Sequence, residues 1–297
     1  VPAQSAVLAP GIGNFGGLSG LETLSRTTLV AISDRGWVLQ IAKAPPHAVS
    51  GLQALGGLPR QHYLRDTESL RRAPDGGWWV AFEGASRIAW HRPGWEGLTG
   101  APTRILLRPD LRDLTGNRSL EAVAALPDGR GLALAEQTGE ALALLFDPDG
   151  QESRRLAYRT DVPPVDAVAL PDGGLLILTR TPVWPLPPTF ATRLEYAAPG
   201  WDQGKVFESR PLFRLDSALE AENYEGLAAE PLADGSGWRI WLVSDDNYLR
   251  LQRTVLAWLD LPRDCLRPDT HCRLEPGATA PLPPAPTPRP RPSPPPQ

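Results

Sequence analysis

The sequence predicts an all-β chain folded as a β-propeller of five four-stranded blades. A pattern recurs five times: an acidic residue opens a short apolar stretch, a turn follows, and a second strand ends in another charge. The first members are Glu22, Glu68, Glu121, Asp166 and Glu225; the second members are Asp34, Glu83, Glu136, Arg180 and Asp245. A period of roughly 45 to 60 residues filled with strand signals marks a radial β array. Helical signals are weak: the chain carries 34 prolines, and few segments hold a 3.6-residue period over three turns.

Each blade can be drawn from the chain in order. The first reads SGLETL, TLVAIS, GWVLQIA and a weaker strand near 51–58. The second reads ESLRRA, GWWVAFE, SRIAWHR and TRILLR. The third is LEAVAAL, GLALAEQ, ALALLFD and SRRLAYR, separated by the hairpin-type turns PDGR, TGE and PDGQ. The fourth is VDAVAL, GLLILTR, TRLEYA and a strand near VFESRPLFRL, with TPVWPLPPTF inserted. The fifth supplies YEGLAAE, WRIWLVS and TVLAWLDL and then lacks a fourth strand. The N-terminal AVLAP can provide it, which ties the ring shut and removes an open edge. Six blades is the alternative, with another sheet in the insertions.

The propeller is assigned to 1–264, a disulfide loop to 265–272 and a proline-rich disordered tail to 273–297. The tail, ending PLPPAPTPRPRPSPPPQ, is too rich in proline and too poor in apolar side chains to form a core. Cys265 and Cys272 are the two cysteines, close enough for a small loop in an oxidising compartment; free thiols are the alternative. With His271 they are too few for a structural zinc site. The chain starts at Val1 and has no methionine, as a removed signal peptide or trimming would leave it. These features place it in the periplasm or outside a bacterial cell. A net charge of −4 argues against a nucleic-acid partner, and no apolar run spans a bilayer.

In a propeller the inner strand lines the channel and the second runs antiparallel to it. The start of the first and the end of the second therefore meet at one mouth. The ten repeated residues sit at those two positions, with Asp66, Asn223, Asp246 and Asn247 beside them. Nine carboxylates against Arg180 must raise one another's pKa or recruit a cation. Oxygen ligands at this density suit Ca²⁺. The plainer alternative is acids that cap turns at a solvated rim.

FGGLSGLE with AISDRG, and AENYEGLA with WLVSDDN and LQRTVLAWLDL, resemble the phytase-like family of bacterial exported proteins with esterase-like activity. The resemblance runs from about Phe15 to Leu261. It implies a β-propeller that hydrolyses phosphate or other esters. The matching positions are Ser19, Glu22, Asp34, Arg35, Asn223, Glu225, Asp245, Asp246 and Asn247. Arg180 departs from the carboxylate rule.

Other motifs carry less. GIGNFG fits a nucleotide-binding string but opens no helix. Ser19 in GGLSGL lacks the nucleophile-elbow pattern. Asn117 begins a nominal glycosylation sequon. His47, His62, His91 and His271 show no paired spacing, although His62 precedes Asp66 and Glu68 closely. Trp95, Trp184 and Trp201 fall in loops.

The expected function is an exported hydrolase of a small-molecule phosphoester or other ester. Ca²⁺ is expected on Glu22, Glu68, Glu83, Glu121, Glu136, Asp166 and Glu225. Asp34 or Asp245 takes a proton from water, Arg180 and Arg35 meet an anionic group, and Asn223, Asp246 and Asn247 hold substrate. The competing expectation is a non-catalytic propeller that binds a cation, glycan or protein.

Overall fold

A computed structural model describes residues 1–58, 65–83, 86–107, 120–184, 189–249 and 251–277. His62, Asn117 and the tail from 278 lie outside these residues.

The N-terminal strand is β1 (Pro2–Val7). Blade 1 then takes β2 (Leu18–Thr23), β3 (Thr28–Ser33), β4 (Trp37–Ala42) and β5 (Val49–Ala54). Blade 2 takes β6 (Thr67–Arg72), β7 (Trp78–Phe82), β8 (Arg87–His91) and, after a short helix α1 (Trp95–Thr99), β9 (Arg104–Leu107). Blade 3 is β10 (Leu120–Ala125), β11 (Gly131–Ala135), β12 (Gly139–Phe146) and β13 (Glu152–Thr160). Blade 4 is β14 (Pro164–Ala169), β15 (Leu175–Val183) and β16 (Thr189–Ala197).

The segment VFESRPLFRL differs from expectation. It forms two strands, β17 (Val206–Glu208) and β18 (Arg210–Arg214). The first pairs in parallel with β13 as an added edge of blade 3, and the second completes blade 4 on β16. The segment before it differs as well. Part of TPVWPLPPTF extends β15 and β16, which stay paired out to Val183 and Thr189. Blade 5 is β19 (Asn223–Pro231), β20 (Gly237–Asp245) and β21 (Val255–Pro262), with β22 (Glu275–Pro276) at the far edge.

The sheet order β19-β20-β21-β1-β22 closes the ring with an N-terminal strand as the sequence predicted, although the strand is Pro2–Val7 and overlaps the expected AVLAP only at Ala6 and Val7. β1 pairs antiparallel with β21 from Ala3 opposite Leu259 to Val7 opposite Val255. Five sheets result, and five buried clusters fill the five clefts between neighbouring blades. Leu70, Trp78 and Val80 meet Val30 and Ile32 between blades 2 and 1, and Trp241 and Val243 meet Leu21 and Leu29 between blades 5 and 1. Each cleft is an interdigitated apolar layer, the usual solution for sheets packed face to face.

Five hairpin turns at the end opposite the mouth share one construction. The N–H groups of Gly77, Arg130, Gln151, Gly174 and Ser236 donate to the carboxylates of Asp75, Asp128, Asp149, Asp172 and Asp234 two residues earlier. The intervening glycine takes positive φ in each, as at Gly129 (φ 93°). These five acids are turn residues and leave the repeated acids at the other end to be explained. Cys265 and Cys272 form a disulfide beside blade 5. No helix among the described residues is long and apolar enough to cross a membrane.

Candidate active site at the propeller mouth

In every blade the pairing of the inner strand slips by one residue near its start. The slips fall between Leu18 and Gly20, Thr67 and Ser69, Leu120 and Ala122, Pro164 and Asp166, and Tyr224 and Gly226. The extra residues are Ser19, Glu68, Glu121, Val165 and Glu225. A bulge leaves its residue out of the ladder and re-aims the side chain. On the second strand, the residue after the partner of each pre-bulge residue is Asp34, Glu83, Glu136, Arg180 or Asp245. Eight of the ten residues read from the repeat therefore occupy equivalent places at the mouth.

Glu22 and Asp166 do not. Glu22 lies three residues past the bulge at Ser19, and Asp166 lies one past the bulge at Val165. Both turn into the channel and meet Arg71. Its guanidinium bonds Asp166 at 2.6 Å and approaches Glu22 at 3.5 Å. It also donates to the carbonyls of Leu21, Val123 and Leu227, each two residues past its own bulge. Asp166 further accepts from Ser69 Oγ and from the N–H groups of Ala167 and Leu227, while Val123 N–H donates to Ser69 Oγ. This network satisfies inner-edge backbone groups that a propeller otherwise leaves unpaired around its axis. Burial pushes Asp166 up to about 6 against the opposing pull of Arg71. With its oxygens so committed, Asp166 is a structural residue rather than a metal ligand.

The mouth is strongly acidic. Burial, then the charges of Glu121, Glu225, Asp66 and Glu83, holds Glu68 well above the usual carboxylate range. Burial and then Glu136, Glu83 and Glu225 raise Glu121 in the same way. Burial also raises Glu136, against the pull of Arg180. Burial, with Asp66 next, pushes Asp34 up to about 6, and burial with Glu225 pushes Asp245 up to about 8. One carboxylate oxygen each from Asp66, Glu68 and Glu83 lies within 4.8 Å of the others. Asp34 Oδ1 is buried without a well-formed hydrogen bond, although the nearby Tyr248 hydroxyl favours its charged form. Hard oxygen atoms gathered at this spacing fit the donor set of Ca²⁺.

Arg180 is the mouth's central cation. It donates to Asn223 Oδ1 and Glu225 Oε1 and lies 3.7 Å from Glu136. Burial alone would lower its pKa, but Glu225, Glu136, Glu121 and Asp245 raise it. The Asn223 amide in turn donates to Glu225 at 2.8 Å, which fixes this side of the mouth.

Several expected substrate residues are held by the scaffold instead. Asp246 accepts from the N–H groups of Gly17 and Tyr248 and from Thr254 Oγ1, pinning the entry loop to blade 5. Asn247 is exposed, and its side-chain amide donates to Gln252. The Arg35 guanidinium stacks on the Tyr248 ring at 3.4 Å. Ser19 sits at the first bulge, with its hydroxyl donating to the Thr67 carbonyl at 2.5 Å. His47 and His91 are buried packing residues, and Trp201 packs on Phe207.

The sequence profile described as "Phytase-like: Esterase-like activity of phytase" matches residues 13–248. The chain belongs to the phytase-like family. No curated protein matches it in sequence. Among solved structures, a glucose dehydrogenase is 13% identical with a TM-score of 0.55, over 86% of this chain and 99% of that one. A luciferin-regenerating enzyme is 11% identical with a TM-score of 0.50, over 86% and 95%. A calcium-binding protein, regucalcin, from Agrobacterium tumefaciens str. C58 is 13% identical with a TM-score of 0.46, over 88% and 79%. At these identities the likeness to the glucose dehydrogenase and the luciferin-regenerating enzyme is one of fold.

Proposed function

We propose that this phytase-like propeller is an ester hydrolase, acting on phosphoester or other small ester substrates with Ca²⁺ at its acidic mouth. The observation that carries this reading is the convergence of Asp66, Glu68 and Glu83 within 4.8 Å, in a mouth where the charges acting most strongly on Glu68 are all acidic. Such a group is stable as a set of anions only when a cation is shared among them. A bound divalent cation would polarise a substrate oxygen and make water a better nucleophile.

The residues supply the rest. Asp34, with its unbonded buried oxygen, is placed to take a proton from the attacking water. Asp245 is the carboxyl held protonated most strongly for its type, and it can return a proton to a leaving oxygen. Arg180, Asn223 and Glu225 form a rigid wall that fixes the polar side of the site. The Cys265–Cys272 disulfide supports an exported protein.

Purified protein assayed on chromogenic phosphate and acyl esters, with calcium and with a chelator, tests the reading. Turnover that needs calcium and falls at least about tenfold in Glu68→Gln, with folding retained, supports it. A chain that binds calcium and turns over no ester is a binding module.

A further inference from the structure

At the end opposite the mouth, blades 4 and 5 leave a cleft of about 630 Å³ between them. That is the size of a small-molecule site. Its two walls repeat one arrangement. On blade 5 the Trp238 indole lines the cleft, with the Arg263 guanidinium 4.4 Å from the ring centre. On blade 4 the Tyr196 ring lines it, with the Arg210 guanidinium at 5.8 Å. Pro199, Leu266 and Pro268 add apolar surface.

The two arginines are fixed in place but not neutralised. Arg210 Nη2 donates to the carbonyls of Cys265 at 2.9 Å and Arg267 at 3.1 Å, in the loop that the disulfide closes. Arg263 Nε donates to the Gly235 carbonyl at 2.9 Å. Among the described residues neither guanidinium forms an ion pair. Nε and Nη1 of Arg210 and both Nη groups of Arg263 find no acceptor there either. Bracing the loop therefore uses only part of each guanidinium's five N–H donors. The indole N–H of Trp238, a residue only 2% exposed, also has no acceptor. The other charges at the cleft are already engaged. Arg267 pairs with Asp264 at 3.2 Å, and Glu208 with Arg159 at 2.7 Å. Asp172 accepts the Gly174 N–H within its own turn and balances at most one of the two arginines.

We propose that this cleft is a second binding site, which takes a small carboxylate-bearing molecule with an apolar or aromatic body. The carboxylate meets the remaining N–H groups of Arg210 and Arg263, as the guanidinium fork is suited to do. The body lies against the prolines, Leu266 and the aromatic walls. A surplus of donors over acceptors calls for an anion, and a single unbalanced positive charge matches a monoanion. The apolar walls offer nothing to a bare inorganic ion. The site stands at the other end of the propeller from Asp66, Glu68 and Glu83, so it goes beyond the hydrolase reading and does not rest on it.

Titration of the full chain with sodium benzoate, followed by ¹H–¹⁵N NMR in the presence of a chelator, tests the proposal. The Trp238 indole signal is identified by its loss in Trp238→Phe. Benzoate is expected to shift this signal saturably. Benzamide, the same body without the charge, and inorganic phosphate, the charge without the body, are each expected to bind at least about tenfold more weakly. Arg263→Gln, at an exposed side chain, is expected to weaken benzoate at least about tenfold, while the brace Arg210 is left intact. Arg239→Gln is the control, because Arg239 pairs with Asp260 outside the cleft. Shifts that never saturate, benzamide binding as well as benzoate, or unchanged benzoate affinity in folded Arg263→Gln overturn the proposal. Phosphate binding as tightly as benzoate overturns the apolar body. With calcium chelated throughout, any of these failures leaves the hydrolase reading as it stands.

Discussion

Arg71 and Asp166 form a buried ion pair at 2.6 Å in the propeller channel, and through it a side chain of blade 2 reaches all four other blades. Arg71 takes backbone carbonyls from blades 1, 3 and 5, and Asp166 supplies the carboxylate of blade 4. The pair fills this part of the channel with hydrogen-bonded groups rather than apolar ones.

Removing one partner strands the other. Asp166→Asn leaves the buried Arg71 guanidinium with only the more distant Glu22 carboxylate and should cost about 3–5 kcal/mol of unfolding free energy. The double replacement Arg71→Met with Asp166→Leu should not recover that loss, because it strands the carbonyls of Leu21, Val123 and Leu227 and the N–H groups of Ala167 and Leu227. Denaturant unfolding measures both. A loss below about 1 kcal/mol for Asp166→Asn would show that the pair does not organise the axis.

Acidity at the mouth makes stability depend on pH in a definite direction. Asp34 is raised to about 6 and Asp245 to about 8, so the folded state prefers both protonated. Their contribution is full below the ordinary carboxylate range and is lost as pH rises through about 6 and then about 8. Asp166, raised to about 6, acts with the same sign. Calcium-free protein should melt higher at pH 5 than at pH 8.5, by more than about 2 °C. Added calcium should raise the melting temperature most at the higher pH. Thermal unfolding at the two pH values, each with calcium and with chelator, checks this; no pH difference in the chelated protein contradicts it.

Much of this was legible in the chain. The alternating strands, the PDG turns and the missing last strand of blade 5 predicted the ring and its closure by β1. Glu68, Glu121 and Glu225 were found because each bulge residue there is itself the acid of the repeat. The bulge is also why Glu22 and Asp166 were misplaced. It inserts a residue that sequence spacing does not reveal, so an acid one or three positions further along reads as the same signal. In blade 1 the equivalent residue is Ser19, which carries no charge to mark it. Arg71 in ESLRRA gave no sign of its role, since an arginine in a strand next to another arginine reads as a solvated pair. Its partners are carbonyls on other blades, which no local pattern encodes.

Gly17 holds the mouth open beside Asp34. Its φ is +62°, and a Cβ there would lie 2.5 Å from both Asp34 Oδ1 and the Tyr248 ring. Gly17→Ala should cost about 1–3 kcal/mol and lower calcium-dependent turnover at least about tenfold. Gly139→Ala is the control, because its φ is +80° but a Cβ would meet nothing within 4 Å. Unchanged turnover in Gly17→Ala would remove Asp34 from the reacting set.

The disulfide closes a short loop, with Cys265 and Cys272 seven residues apart. Replacing both by serine should cost about 2 kcal/mol through the greater freedom of the unfolded chain. Unfolding with and without reductant measures it. Calcium affinity should be unaffected, since the loop packs beside blade 5 with Leu261 and Trp238, away from Glu68.

The most direct measurement is a crystal structure of the full chain grown in calcium. The account predicts one ion bound by oxygens of Asp66, Glu68 and Glu83, with Arg180 still on Glu225. An empty mouth, or an ion seated only elsewhere on the surface, would contradict it.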